Sequence, residues 1–280
     1  MLYLLVIIIL TCIIIIYCIL PELNRYFIFH PYKPLEDEYI KFIAYCNENK
    51  YILIDDIITH DNINLKTVLI KYNDIPKWTD KIFIFFHGNT GWNGNIIVSE
   101  QIKVLSQYGS VLIFDYRGFG KSDGLITELG LYDDALTIWN YITSIKNIQP
   151  ENIILYGFSL GTTIASHLLA LLIQYKRDLP QALWLEAPLI SLEVMATNIY
   201  PKFKYLLTMH MNNLQNLNII KYYEPNYPII ICHSIEDKII PINHSITLGD
   251  RINSPIINLF GTHNEPKYTQ EWHNMMNTLI

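Results

Sequence analysis

The chain has 280 residues, 51% of them hydrophobic and 16% charged, which is the composition of a packed globule rather than of a disordered segment. A formal net charge of -6 and a pI near 5.8, with lysines and arginines scattered along the length, exclude the basic footprint that a nucleic-acid partner requires. The four cysteines, Cys12, Cys18, Cys46 and Cys232, form neither a metal-ligand spacing nor a disulfide framework, so no metal and no cofactor are expected.

MLYLLVIIILTCIIIIYCIL, residues 1–20, is apolar apart from Thr11. As a helix rising 1.5 Å per residue it is about 30 Å long, the thickness of the hydrocarbon core of a bilayer. A cleaved signal peptide would carry a basic start, a shorter apolar stretch and small residues before the cut, and Tyr17-Cys18-Ile19-Leu20-Pro21 fits that poorly. Residues 1–21 are therefore expected to be a transmembrane signal anchor, giving a single-pass membrane protein whose domain spans 22–280. Arg25 and Lys33 follow the anchor and favour a cytoplasmic domain. Asn243-His244-Ser245 matches a glycosylation sequon usable only in a lumenal domain, but an Asn-rich chain offers such a match by chance.

Beyond the anchor, YIKFIAYC (39–46), YILIDDIIT (51–59) and KTVLIKY (66–72) read as strands at the N-terminal edge of a sheet, antiparallel to one another. KIFIFFH (81–87), SVLIFDY (110–116), NIILYG (152–157), ALWLEA (182–187), PIIICH (228–233) and PIINLF (255–260) are near-continuous apolar runs, as strands buried on both faces must be. Helical patterns at 96–109, 129–145 and 160–175 separate several of them, and right-handed crossovers then give a mostly parallel sheet with helices on both faces, an α/β fold. With no repeat and no Gly/Ser linker, 22–280 reads as one domain. The stretch 189–226, rich in Tyr, Met and Asn, admits two readings: a small cap, or an ordinary crossover helix with a long loop.

DYRGFGKSDG (115–124) contains the Gly-Lys-Ser that closes a phosphate-binding loop. The position that such a loop needs as its first glycine is Asp115, whose carboxylate would repel phosphate, so a nucleotide site is not expected here. Asp115 and Arg117 are instead expected to hold the loop by hydrogen bonds.

Chemistry concentrates in the second half. ILYGFSLGTTIA places Gly157-Phe158-Ser159-Leu160-Gly161 between a buried strand and an apolar helix, the setting in which a sharp turn exposes a nucleophilic serine. The hydroxyl needs a base, and the base needs a carboxylate to orient it. Asp237 follows the strand PIIICH and His263 follows the strand PIINLF, so both emerge on the edge of the sheet where Ser159 stands. Glu236 is the rival acid, and Asp237 is preferred because it precedes KIIP at the usual offset. Among the other histidines, His233 reads as a packed turn residue, His244 as a helix start and His273 as surface or packing. HGN at 87–89 ends another strand, and the glycine lets the backbone N–H of Asn89 point toward that of Leu160, a pair of donors for a developing oxyanion. His87 reads as scaffold.

HGN at 87–89, YRGFGKSDG at 116–124, GFSLG at 157–161, EDKIIP at 236–241 and GTHNEP at 261–266 together resemble the motifs of the α/β hydrolases in that family's order, and within it the membrane-anchored branch that includes alpha/beta-hydrolase domain-containing protein 13. RYFIFHP after the anchor resembles that branch's entry segment. The resemblance implies the α/β-hydrolase fold with a small or minimal cap, Ser159 as nucleophile, Asp237 as acid, His263 as base, and Asn89 and Leu160 as oxyanion donors. It departs at Ser234, where the acid turn usually opens with glycine, and at Glu265-Pro266. The implied activity is a membrane-anchored serine hydrolase acting on an ester or thioester, with a small-molecule, lipid or acyl-protein substrate. A serine peptidase of the same fold and a non-catalytic binding protein are the alternatives; no large substrate-gating domain is read in these residues, which counts against a peptidase, and the complete triad counts against a non-catalytic protein.

Overall fold

The computed structural model describes Tyr3 and residues 19–71, 81–199 and 201–280. The expected anchor at 1–21 therefore lies outside the described residues apart from Tyr3 and 19–21. Among the described residues no helix is long and apolar enough to cross a membrane.

The strands, in chain order, are β1 (His30–Pro31), β2 (Ile52–Ile58), β3 (Asn64–Ile70), β4 (Ile82–Phe86), β5 (Thr90–Gly91), β6 (Ser110–Phe114), β7 (Ile153–Phe158), β8 (Ala182–Glu186), β9 (Ile229–Ser234), β10 (Ile256–Gly261) and β11 (Pro266–Lys267). Among the described residues, nine of them form one mixed sheet in the order β11-β10-β9-β8-β7-β4-β6-β3-β2. The run from β10 to β6 is parallel throughout, while β2 and β3 are antiparallel at the N-terminal edge and β11 turns back on β10.

Side-chain alternation explains why the central strands look uniformly apolar. In β4, Ile82, Ile84 and Phe86 enter one core while Phe83 and Phe85 enter the other, and β8 divides in the same way, with Leu183 and Leu185 opposite Ala182 and Trp184. The first core is closed by the helices Glu128–Asn140, Gly161–Gln174, Asn213–Tyr223 and Asn243–Ile252, and the second by Glu36–Glu48, Glu100–Leu105 and Gln270–Leu279.

One expected strand is a helix. Residues 39–46 lie inside the helix Glu36–Glu48, not in the sheet. YIKFIAYC satisfies a period of two loosely, but Tyr39, Phe42 and Cys46 recur at helical spacing and pack together into the second core. The acidic first turn, Glu36-Asp37-Glu38, complements the helix N-terminus, and the Glu38 carboxylate accepts the Leu35 N–H at 2.7 Å.

The sheet positions the site. β4 lies between β6 and β7, and the connections from β4 to β6 and from β6 to β7 run over opposite faces, so a crevice opens at the C-terminal ends of β4 and β7. Within 189–226, the helix Asn213–Tyr223 packs on Gly161–Gln174, while Leu192–Ile199 and the turn Phe203–Leu206 lie over the crevice.

Candidate active site

β7 ends at Phe158 and the helix Gly161–Gln174 begins three residues on, so the chain reverses within Ser159 and Leu160. Ser159 takes φ +55°, a left-handed value that costs a non-glycine residue about 1 kcal/mol or more. The surroundings hold it there: its N–H donates to the Glu186 carbonyl at 2.9 Å, and its carbonyl accepts the Thr162 N–H at 3.1 Å and the Thr162 hydroxyl at 2.6 Å. Gly161 is needed for a different reason. A Cβ there would stand 2.1 Å from the Phe86 carbonyl oxygen, so only glycine lets the helix start press against β4.

Three side chains from three loops meet at this turn. His263 Nε2 lies 3.0 Å from Ser159 Oγ, and His263 Nδ1 lies 2.6 Å from Asp237 Oδ2. The carboxylate fixes the proton on Nδ1, which leaves the Nε2 lone pair to accept the serine hydroxyl. Phe158 packs against the imidazole with ring centroids 4.9 Å apart. Asp237 Oδ1 accepts the N–H groups of Ile239 at 2.8 Å and Ile240 at 2.9 Å. Burial pushes the Asp237 carboxyl up, but hydrogen bonds from His233 and His263 outweigh it and hold the group well below the usual carboxylate range.

His233 does more than pack. Its Nε2 faces two acceptors, the Ile240 carbonyl at 2.9 Å and Asp237 Oδ2 at 3.2 Å, so Nε2 carries the hydrogen. Its Nδ1 then accepts from the Ser245 hydroxyl at 2.6 Å, which commits the sequon's serine to the core. The rival acid Glu236 is exposed, and its carboxylate accepts the Gly261 N–H at 2.6 Å. Ser234, the departure from glycine, donates its hydroxyl to the Gly261 carbonyl. Ser234 and Glu236 thus clip the loop of Asp237 to the loop of His263. His244 is buried in the first turn of Asn243–Ile252, where its Nδ1 accepts the Ile190 N–H at 3.0 Å, and His273 bonds the Tyr108 hydroxyl at 2.6 Å.

Behind the elbow, at the end of β8, stands Glu186, which the sequence did not single out. It is buried, accepts Gln101 Nε2 at 3.0 Å and the Tyr268 hydroxyl at 3.1 Å, and also takes the Tyr156 hydroxyl. Burial raises its pKa against those hydrogen bonds.

On the open side, Asn89, Ser159 and Leu160 line a cavity of about 450 Å³. Among the described residues, neither the Asn89 nor the Leu160 N–H donates to a partner. The Asn89 carbonyl and amide are tied to His30 and Ile28, which fixes the loop. His87 is buried beneath it, tilted against Tyr116 with ring centroids 4.1 Å apart, with burial lowering its pKa to about 3. The rest of the cavity wall is apolar, with Leu189, Leu192, Met195, Ala196 and Leu207 from above. Leu20, Leu23, Asn24, Phe27 and Ile28 form its side, one face of the helical residues 19–28. The spacing of those five positions was the signal in the sequence, masked by the stronger apolar run before them.

The loop 115–124 holds structure. Asp115 accepts the Asn93 N–H at 2.6 Å, and a Cβ on Gly120, at φ +49°, would fall 1.9 Å from its Oδ2. The Ser122 hydroxyl donates to the Asp115 carbonyl at 2.7 Å, and Lys121 pairs with Glu36 at 2.9 Å. Arg117 is buried, with Nε on Asp134 and Nη1 on Asp61, each at 2.8 Å. His60, Asp61 and Asp133 come within 4.8 Å of one another, but both carboxylates are engaged by this guanidinium.

Residues 81–208 match the family model described as the alpha/beta hydrolase fold. An uncharacterized protein, R595, of Acanthamoeba polyphaga mimivirus is 35% identical over 270 residues, covering 89% of both chains. This chain belongs to the α/β-hydrolase superfamily. Among solved structures, an α/β hydrolase from Vibrio vulnificus shares its fold with a TM-score of 0.70 at 19% identity, covering 89% of this chain and 88% of that one. Est1E from Butyrivibrio proteoclasticus shares it with a TM-score of 0.59 at 20% identity, covering 81% and 96%. The lysophosphatidylserine lipase ABHD12 of Danio rerio is 30% identical over 192 residues, 62% of this α/β hydrolase and 50% of the lipase. The chain thus spans about half the length of the lipases it matches.

Proposed function

We propose that this α/β hydrolase is a membrane-anchored serine hydrolase of the branch named above, cleaving the ester or thioester of a long acyl chain, on a lipid or an acylated protein, through an acyl-enzyme. One observation carries the reading: a strained serine at the C-terminal edge of the sheet, hydrogen-bonded through His263 to Asp237, opens directly into an apolar cavity of about 450 Å³. Ser159 Oγ attacks the carbonyl carbon as His263 Nε2 takes its proton, and the carbonyl oxygen, now negative, turns toward the N–H groups of Asn89 and Leu160. His263 then gives that proton to the leaving alcohol or thiol, and water repeats the sequence in reverse roles to free the acid. Asp237 stays ionised throughout and stabilises the imidazolium. The acyl chain lies along Leu192, Met195 and Phe27.

The curated relatives named lysophosphatidylserine lipases support a lipid substrate, and a lysolipid carries the single acyl chain that a cavity of this size accommodates. Residues 1–21 serve as the anchor, 22–280 as the catalytic domain, and the part of 189–226 above the crevice as its cap. A fluorophosphonate probe labels the full-length protein under this reading and leaves Ser159→Ala unlabelled; equal labelling of both removes it. With esters of rising chain length, kcat/KM climbs until the cavity is filled, and Ala196→Phe moves the optimum to shorter chains with a discrimination of about 10- to 200-fold.

A further inference from the structure

The mouth of the cavity is ringed by side chains that are apolar and exposed at the same time. Leu23, Phe27, Leu206 and Ile239 all line the cavity, yet they are 43%, 70%, 49% and 55% exposed. They come from three separate stretches: the helical residues 19–28, the turn Phe203–Leu206, and the loop that carries Asp237. Asn24 joins the first two, its Nδ2 donating to the Leu206 carbonyl at 2.8 Å and its Oδ1 accepting the Thr208 N–H at 2.9 Å. Contiguous exposed apolar surface of this kind marks a surface that something covers.

Chain connectivity says what covers it. Leu20 is the last residue of the apolar run 1–20, a run of the length that spans a bilayer, and Leu20 itself lines the cavity. No linker separates anchor from wall, so the mouth stands at the level where the anchor leaves the hydrocarbon. The side chains beside it are of the kind that settles among headgroups: Tyr26 and Tyr205 are exposed, Lys204 lies 5.2 Å over the Tyr205 ring, and Lys202 points to solvent.

We infer that the cavity mouth is seated in the leaflet in which the anchor ends, so that the acyl chain of the substrate passes sideways from the bilayer into the cavity without entering water. The occupant of the apolar ring is a lipid surface. The inference rests on the membrane-anchored reading above and adds to it an orientation: the helical residues 19–28 are at once the end of the anchor and a wall of the site.

Full-length protein reconstituted into phosphatidylcholine vesicles whose acyl chains carry a diazirine tests it, with adducts mapped by mass spectrometry after irradiation. Adducts are expected on Phe27, Tyr205, Leu206 and Ile239, several-fold above residues 175–177, which lie at the far end of the helix Gly161–Gln174, about 21 Å from Ser159. Tyr205 lies outside the cavity wall and reports seating whether or not a lipid occupies the site. Labelling confined to residues 1–18, with the rim no higher than 175–177, overturns the inference and leaves the anchor intact. A chain that fails to float with the vesicles removes the anchored reading and the inference together. Rim labelling in a protein that fluorophosphonate does not touch supports the seating and removes the catalytic reading alone.

Discussion

Asp115 and Asp237 are both aspartates just beyond the end of a buried strand, with side chains hidden from water, and they are driven in opposite directions. Asp115 accepts N–H groups of Asn93 and Lys121 and is drawn down by the charge of Lys33; burial wins, and its pKa rises to about 7. Asp237 sits in a less deeply buried turn and receives two backbone N–H groups and two imidazoles, and these more than offset its burial penalty. Burial alone therefore does not set the charge of a carboxylate; the number and quality of donors aimed at it do. The loop after β6 is organised to stay folded, and the loop after β9 is organised to keep a negative charge beside an imidazole.

The largest expected effect falls on the second loop. Asp237→Asn retains the shape but offers His263 the wrong hydrogen-bond partner, so kcat per folded molecule is expected to fall about 10⁴-fold, measured on a short soluble ester. Arg117→Ala does the reverse: it strands the carboxylates of Asp134 and Asp61, lowering stability by about 3–5 kcal/mol in denaturant titrations while turnover per folded molecule is kept. A large loss of turnover at unchanged stability would erase the contrast between the loops. His233→Phe tests a residue that belongs to both descriptions. It removes one donor from Asp237 and leaves the Ser245 hydroxyl unpaired, and about a 10-fold fall in kcat is expected, equivalent to ~1.4 kcal/mol.

The last expected effect is a slope rather than a single value. Between the ordinary aspartate range and about pH 7, folded Asp115 keeps a proton that the unfolded chain has released, so its contribution to stability is present at low pH and fades as pH rises through that window. The gradient is at most about 1.4 kcal/mol per pH unit. Urea unfolding from pH 4 to 8 should show a shallower decline in Asp115→Asn; an unchanged slope would mean that Asp115 is ionised in the fold. Asp237 has the opposite sign, its contribution being lost as pH falls below the ordinary aspartate range.

The parallel strands were legible because both faces are buried, which writes a continuous apolar run, and the elbow because a turn so tight tolerates few residues: Gly161 has no room for a Cβ, and Ser159 must sit at φ +55°. The placement of Asp237 and His263 followed from where their strands end. The helix Glu36–Glu48 was misread because eight residues with three aromatics satisfy either period, and its decisive feature, the carboxylate of Glu38 on the Leu35 N–H, lies before the apolar stretch. His233 and Glu186 escaped for a different reason. Each looks like an ordinary strand residue until the turn or the distant neighbours that bond it fold into place, at 4 to 12 positions from His233 and 30 to 85 from Glu186, and no apolar periodicity announces that.

Because Leu20, Leu23, Asn24, Phe27 and Ile28 face the cavity from one side of a helix, their contribution depends on angular register as well as on hydrophobicity. One residue inserted between Leu20 and Leu23 turns everything on one side of it by about 100° relative to the other. Either the proposed anchor would then have to rotate in the bilayer, or Leu23, Asn24 and Phe27 would leave the wall and Asn24 would release Leu206 and Thr208. Under the anchored reading proposed above, a foreign membrane segment spliced on at residue 20 is thus not a neutral exchange of tethers: the splice sets the rotational phase of a wall of the site.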